Sequence, residues 1–83
     1  MKEVRIRPQI SDNDLKTLVN RTLKWFKKQE RVKISVSFRG RQHLFMEELG
    51  PETIERFLEM LGPHRLVNKA ERKGRRYQAV IDP

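Results

Sequence analysis

No cysteine occurs among the 83 residues. Disulfides, thiolate metal sites and cysteine nucleophiles are thereby excluded, and a small domain without such staples fits a reducing compartment, so a cytoplasmic location is expected. Glycine and proline are scarce, four of each, so each reads as punctuation between elements and no low-complexity segment or linker stands out. No apolar run approaches the roughly 18 residues of a membrane span, and nothing at the N-terminus reads as a signal peptide. Acidic residues are also short: 11 Asp and Glu face 19 Lys and Arg, a formal charge of +8. That balance favours a polyanionic partner. A chain of this size makes one domain with a thin core, since it buries only roughly 60–65% of its unfolded surface.

Within those limits the apolar residues are strongly patterned. Glu3-Val4-Arg5-Ile6-Arg7 alternates charged and apolar, the period-2 mark of a half-buried strand, and Pro8 ends it. Ser11, Asp12 and Asn13 offer side-chain oxygens for the free amides of a helix start, predicting a first helix over about residues 14–29. At 100° per residue, Leu15, Leu18, Val19, Thr22, Leu23, Trp25 and Phe26 share one arc; Lys16, Arg21, Lys24, Lys27 and Lys28 share the other. Trp25 and Phe26 are therefore expected in the core and not as base-stacking platforms.

Val32, Ile34, Val36 and Phe38 alternate with Lys33, Ser35, Ser37 and Arg39 as a second half-buried strand closed by Gly40. Residues 42–49 form a connection that could hold a helical turn. Pro51 suits the first position of a second helix whose apolar positions are Ile54, Phe57, Leu58 and Leu61, stopped by Gly62-Pro63. Residues 65–69 and 75–81 read as strands joined by a basic hairpin loop over 70–74. The order is β-α-β-α-β-β. Because the strands alternate, both helices must cover one apolar face, which gives an α+β two-layer sandwich with its first strands parallel.

Charge is segregated along this scaffold. Residues 47–61 hold Glu47, Glu48, Glu52, Glu55 and Glu59 against Arg56, a local 1 − 5 = −4, so the remainder carries 18 − 6 = +12. The positive part is confined to the first helix, the strands and the loops at Arg39-Gly40-Arg41 and Arg72 to Arg76. Such a surface displaces condensed counterions from phosphates, and arginine adds bidentate geometry. Gly40 fits either a close approach of backbone to phosphate or a tight turn after the strand.

Lys2-Glu3-Val4-Arg5-Ile6-Arg7-Pro8, the helix opening Asp12-Asn13-Asp14, Arg31-Val32-Lys33-Ile34 leading into Phe38-Arg39-Gly40-Arg41, and Gly74-Arg75 together resemble the C-terminal domain of bacterial translation initiation factor 3. The likeness runs in order over essentially the whole chain, and the Phe-Arg-Gly-Arg box is its most specific part. It implies a mixed four-stranded sheet in order 1-2-4-3 with two helices on one face. It also implies binding to the 16S rRNA of the small ribosomal subunit at its platform, prevention of premature joining of the large subunit, and support for initiator tRNA and start-codon selection. On this resemblance the RNA-contact residues are Arg7, Lys24, Lys33, Arg39, Arg41, Arg56 and Arg75; charge geometry adds Arg5 and Lys27. The chain departs from the pattern at Asn20, where an arginine is usual and Arg21 stands beside it. It departs again in a connection after Arg41 that is one residue longer, and in the proline and glutamates of the second helix. The resemblance further implies an excised domain, a monomer, lacking the N-terminal domain and lysine-rich linker of the complete factor.

Three other readings compete. His43 and His64 could act as acid and base, or His43 and Glu47 as metal ligands at i, i+4 spacing, but neither histidine has a motif partner to orient it, so no enzyme and no cofactor are expected. A general nucleic-acid-binding protein of the same element order is the nearer alternative. A protein-binding adaptor built on the acidic second helix is the third.

Overall fold

The computed structural model describes residues 1–83. Strand β1 spans Lys2–Ile6, helix α1 Asp12–Lys27, strand β2 Val32–Ser37, a 3-10 helix Gly40–Phe45, helix α2 Met46–Leu61, strand β3 Arg65–Lys73 and strand β4 Arg76–Asp82. The sheet order is β1-β2-β4-β3, with β1 and β2 parallel and the other pairs antiparallel. The topology inferred from alternation and from the resemblance is thus present: two helices on one face of a mixed sheet. The smallest extent of the molecule, 17 Å, suits two layers packed roughly 10 Å apart.

The core lies between those layers. Val4 and Ile6 of β1, Val32, Ile34 and Val36 of β2, and Ala79 and Ile81 of β4 are buried against Leu15, Val19 and Phe26 of α1 and Met46, Ile54, Phe57 and Leu61 of α2. Trp25 packs at the edge of this cluster and Phe26 inside it, as the apolar arc predicted. Leu23, placed on the same arc, is 38% exposed: it sits at the margin of the arc. Thr22 is fully buried, yet its hydroxyl donates to the Leu18 carbonyl at 3.0 Å, which removes the cost of burying it.

Local chemistry sets the boundaries. Ser11 caps α1 by accepting from the Asp14 amide at 3.2 Å, so the helix opens at Asp12, two residues before the predicted start. Asp12 and Asp14 lie at its positive end and Lys24 and Lys27 at its negative end, each complementing the dipole. The helix ends at Lys27 and not at Gln29, because Gln29 takes a left-handed conformation with φ 60°. The unassigned connection is the 3-10 helix, and α2 starts at Met46, five residues ahead of Pro51, which lies inside it.

That earlier start follows the burial phase. Met46, Gly50, Thr53, Ile54, Phe57 and Leu61 all face the sheet, so the first turn is held by packing although a proline follows it. Gly50 is required there: a Cβ would lie 2.6 Å from two atoms of the Tyr77 ring. Residues 70–73, read as loop from their charge, are strand. β3 continues through them past two register irregularities, and only Gly74 and Arg75 make the turn. Gly74, at φ 63°, supplies the positive φ such a two-residue hairpin needs.

Candidate nucleic-acid interface

The parallel β1-α1-β2 unit decides where the cations go. α1 leaves the carboxyl end of β1 and must run back antiparallel to it, so its last turn lies beside the start of β2. The Lys2 amide donating to the Arg31 carbonyl at 3.0 Å marks that end. Six of the nine predicted contact residues consequently fall into two groups, separated by the length of a six-residue strand, roughly 20 Å. Lys24 and Lys27 project from the final turn of α1 at one end. Arg7, Arg39, Arg41 and Arg75 gather at the other end, and Arg5 and Lys33 lie between the two, two positions apart in the β1–β2 register.

The arginine end is assembled by the strand ends themselves. The Phe38 amide donates to the Arg75 carbonyl at 2.9 Å, which brings the β3–β4 turn alongside the Phe38-Arg39-Gly40-Arg41 segment. Ile6 is in register with Val36, so Arg7 emerges beside Ser37. Between these strand ends opens a mostly polar cleft of about 660 Å³, lined among others by Arg5, Arg7, Ser37, Arg39 and Gln42. It lies outside the carboxyl ends of two parallel strands, the position where open sheets commonly receive ligands.

Arg39, Gly40 and Arg41 are held in place by their own loop. The Gln42 side-chain oxygen accepts from the Arg39 amide at 3.1 Å, and the His43 Nδ1–H donates to the Gly40 carbonyl. Gly40 has φ 56°, with nothing within 4 Å of where a Cβ would stand. The turn accounts for Gly40, and the open space leaves its backbone approachable.

Ion pairing separates the predicted residues further. Arg7, Lys24, Lys27, Arg39, Arg41 and Arg75 make no ion pair, so their charge is free for a partner. Arg5 and Lys33 share Glu3, at 3.2 and 3.9 Å. Arg56 is occupied within the fold: it donates to the Ile10 carbonyl at 3.1 Å and to the Asp12 carboxylate at 2.7 Å, tying α2 to the entry of α1. It is a strut of the two-helix layer.

Several features lay beyond the sequence reading. Arg76, counted within the basic 72–76 stretch but not among the predicted contacts, is exposed, unpaired and in register with Ser37, and that register places it at the arginine end. Asp82 accepts from Arg31 at 2.9 Å and from Arg65 at 3.1 Å, closing the opposite end of the sheet. The Arg31 hydrogen bond holds its carboxyl below the usual carboxylate range, against the opposing effect of desolvation and with further help from Arg65, and Asp82 in return raises Arg31. Arg72 bonds Glu47 at 3.2 Å and the Gly74 carbonyl at 3.1 Å, fastening the hairpin to α2. The histidines serve turns: His64 Nδ1–H donates to the Gly62 carbonyl at 2.9 Å, as His43 does to Gly40. No helix is long and apolar enough to cross a membrane.

The arrangement can grip phosphates at two stations, a group of arginines at one end of the sheet and a lysine-bearing helix end; of the α2 carboxylates, Glu47 reaches the hairpin, where Arg72 pairs it. Known proteins are similar to this chain in sequence. The family described as "Translation initiation factor IF-3, C-terminal domain" matches residues 1–83. Proteins named Translation initiation factor IF-3 are 32% identical over 84 residues in Corynebacterium glutamicum (strain R), 31% over 84 in Leptospira biflexa (strain Patoc 1 / Ames) and 28% over 85 in Ureaplasma parvum serovar 3. Each comparison covers all of this chain, which spans 44%, 44% and 47% of those relatives. Matched along its entire length, the chain belongs to the translation initiation factor IF-3 family and corresponds to its C-terminal domain.

Proposed function

We propose that this chain binds the small ribosomal subunit through the phosphates of its 16S rRNA, at the platform, and so keeps the large subunit from joining prematurely. The observation that carries the reading is the arginine end. Arg7 and Arg39 line one polar cleft unpaired, beside the single carboxylate of Asp14, and Arg41, Arg75 and Arg76 stand unpaired at the same end of the sheet. Guanidinium groups at phosphate oxygens supply bidentate, charge-assisted bonds, and their release of counterions makes binding steeply salt-dependent.

Lys24 and Lys27 form the second station, and a rigid body with two stations suits a folded RNA surface better than a single strand. Blocking of the large subunit is steric in this account, and support for initiator tRNA and start-codon selection follows from occupying the platform. The chain acts as a monomer in the cytoplasm, by binding and not by catalysis, and requires no cofactor. Sedimentation tests this directly: added chain should travel with small subunits and shift joined ribosomes toward free subunits. Failure to co-sediment at low salt would refute it.

A further inference from the structure

We infer that Phe45, with Leu44, is a stacking platform for one unpaired nucleobase, set beside the phosphate-gripping arginines. The inference rests on the RNA-binding reading above and assigns it a base-contacting residue. Leu44 is 68% exposed and Phe45 54%, consecutive apolar side chains on the 3-10 helix, whereas the next residue, Met46, is 1% exposed. Burial of Met46 anchors the chain and turns its two predecessors outward. Their exposure has no role in the core.

The surroundings define what would cover them. A 3-10 helix repeats every three residues, so Leu44 eclipses Arg41 and Phe45 eclipses Gln42. Gln42 is fixed by its bond to the Arg39 amide and His43 by its bond to the Gly40 carbonyl. The ring therefore stands on a locally braced turn whose chain also carries unpaired Arg39 and Arg41. The nearest carboxylate along the chain, Glu47, is already engaged by Arg72.

An apolar ring on the same short segment as two free guanidinium groups complements a base joined to its phosphate, whereas a protein partner of that segment would have to meet two unpaired cations. Proteins read RNA largely where bases are unstacked, and a base on an aromatic face is recognised whatever its identity. Trp25, the aromatic with the larger face, is packed on the core and cannot serve.

The test compares an RNA hairpin carrying an unpaired loop with a fully paired RNA of equal length, at matched salt. Phe45→Ala and Phe45→Leu should each weaken hairpin binding roughly tenfold to a hundredfold and leave duplex affinity unchanged. Phe45→Trp should retain hairpin affinity. The salt slope should not move in any variant, because no phosphate contact is lost. Phe45→Leu preserves apolar bulk, so its thermal midpoint should match the parent and separate stacking from folding. Undiminished hairpin binding by Phe45→Leu, or equal losses on both RNAs, would overturn the inference while leaving the phosphate reading intact. If the parent chain bound neither RNA, the proposed function would fall with it.

Discussion

Neutralising two residues of the arginine end, as Arg39→Gln with Arg75→Gln, should alter RNA binding in a way that depends quantitatively on salt. Both side chains are exposed and free of ion pairs, and the contacts that build the site there come from their backbones: the Arg39 amide to Gln42 and the Arg75 carbonyl to the Phe38 amide. The fold should therefore survive, with stability within about 0.5 kcal/mol of the parent. If each guanidinium neutralises one phosphate, each loss lowers the slope of log affinity against log salt by roughly 0.7–0.9, so the pair lowers it by roughly 1.4–1.8. Over a fourfold rise in salt the parent should then lose roughly seven- to twelvefold more affinity than the variant. Filter binding or fluorescence titration of small subunits across a salt series reads this slope, with circular dichroism as the folding control. An unchanged slope would refute the assignment of phosphate contacts to this end, whatever happened to affinity at one salt.

Other perturbations separate folding from binding. Lys24→Glu with Lys27→Glu should weaken small-subunit binding and flatten its slope with unchanged circular dichroism; unaltered binding would remove the helix end from the interface. Arg56→Gln should cost roughly 1 kcal/mol in urea unfolding, as a partly exposed tie to Ile10 and Asp12, and leave the salt slope alone. Gly50→Ala should destabilise by about 1–3 kcal/mol, because its Cβ would meet the Tyr77 ring at 2.6 Å, and the penalty should shrink in a Tyr77→Ala background. Asp82 has a depressed folded pKa, so its contribution is present above the unfolded carboxylate range and fades as pH falls through the folded value. Asp82→Asn should accordingly be less stable than the parent at neutral pH, with the difference closing in acid, as read by urea midpoints.

Much of the fold is legible in the sequence alone. Strict alternation in β1 and β2 fixed one buried face, and the β-α-β order then left the helices a single side to cover. The positions that misled are those where tertiary packing overrode a local signal. Pro51 looked like a helix start, but Met46 and Gly50 are buried in phase with Ile54 and Phe57, and packing carries the helix five residues further back. Charge made residues 70–73 look like loop, yet an edge strand tolerates exposed charges, and β3 simply continues through them. The site was half visible: residue types named the cations, but only topology shows that α1 delivers its lysines to the opposite end from Arg39 and Arg75. Arg56 could not be recognised as a strut, since the Ile10 carbonyl it holds is 46 positions away in sequence.

The central claim, that the arginine end is shaped for the folded RNA of the small subunit and not for polyanions in general, is tested by competition at matched salt. Labelled chain bound to small ribosomal subunits is challenged with excess duplex nucleic acid. The parent should stay on the subunits, and the Arg39→Gln, Arg75→Gln variant should pass to the competitor. Equal partitioning of the parent between subunits and duplex would contradict the account and favour a general nucleic-acid-binding module.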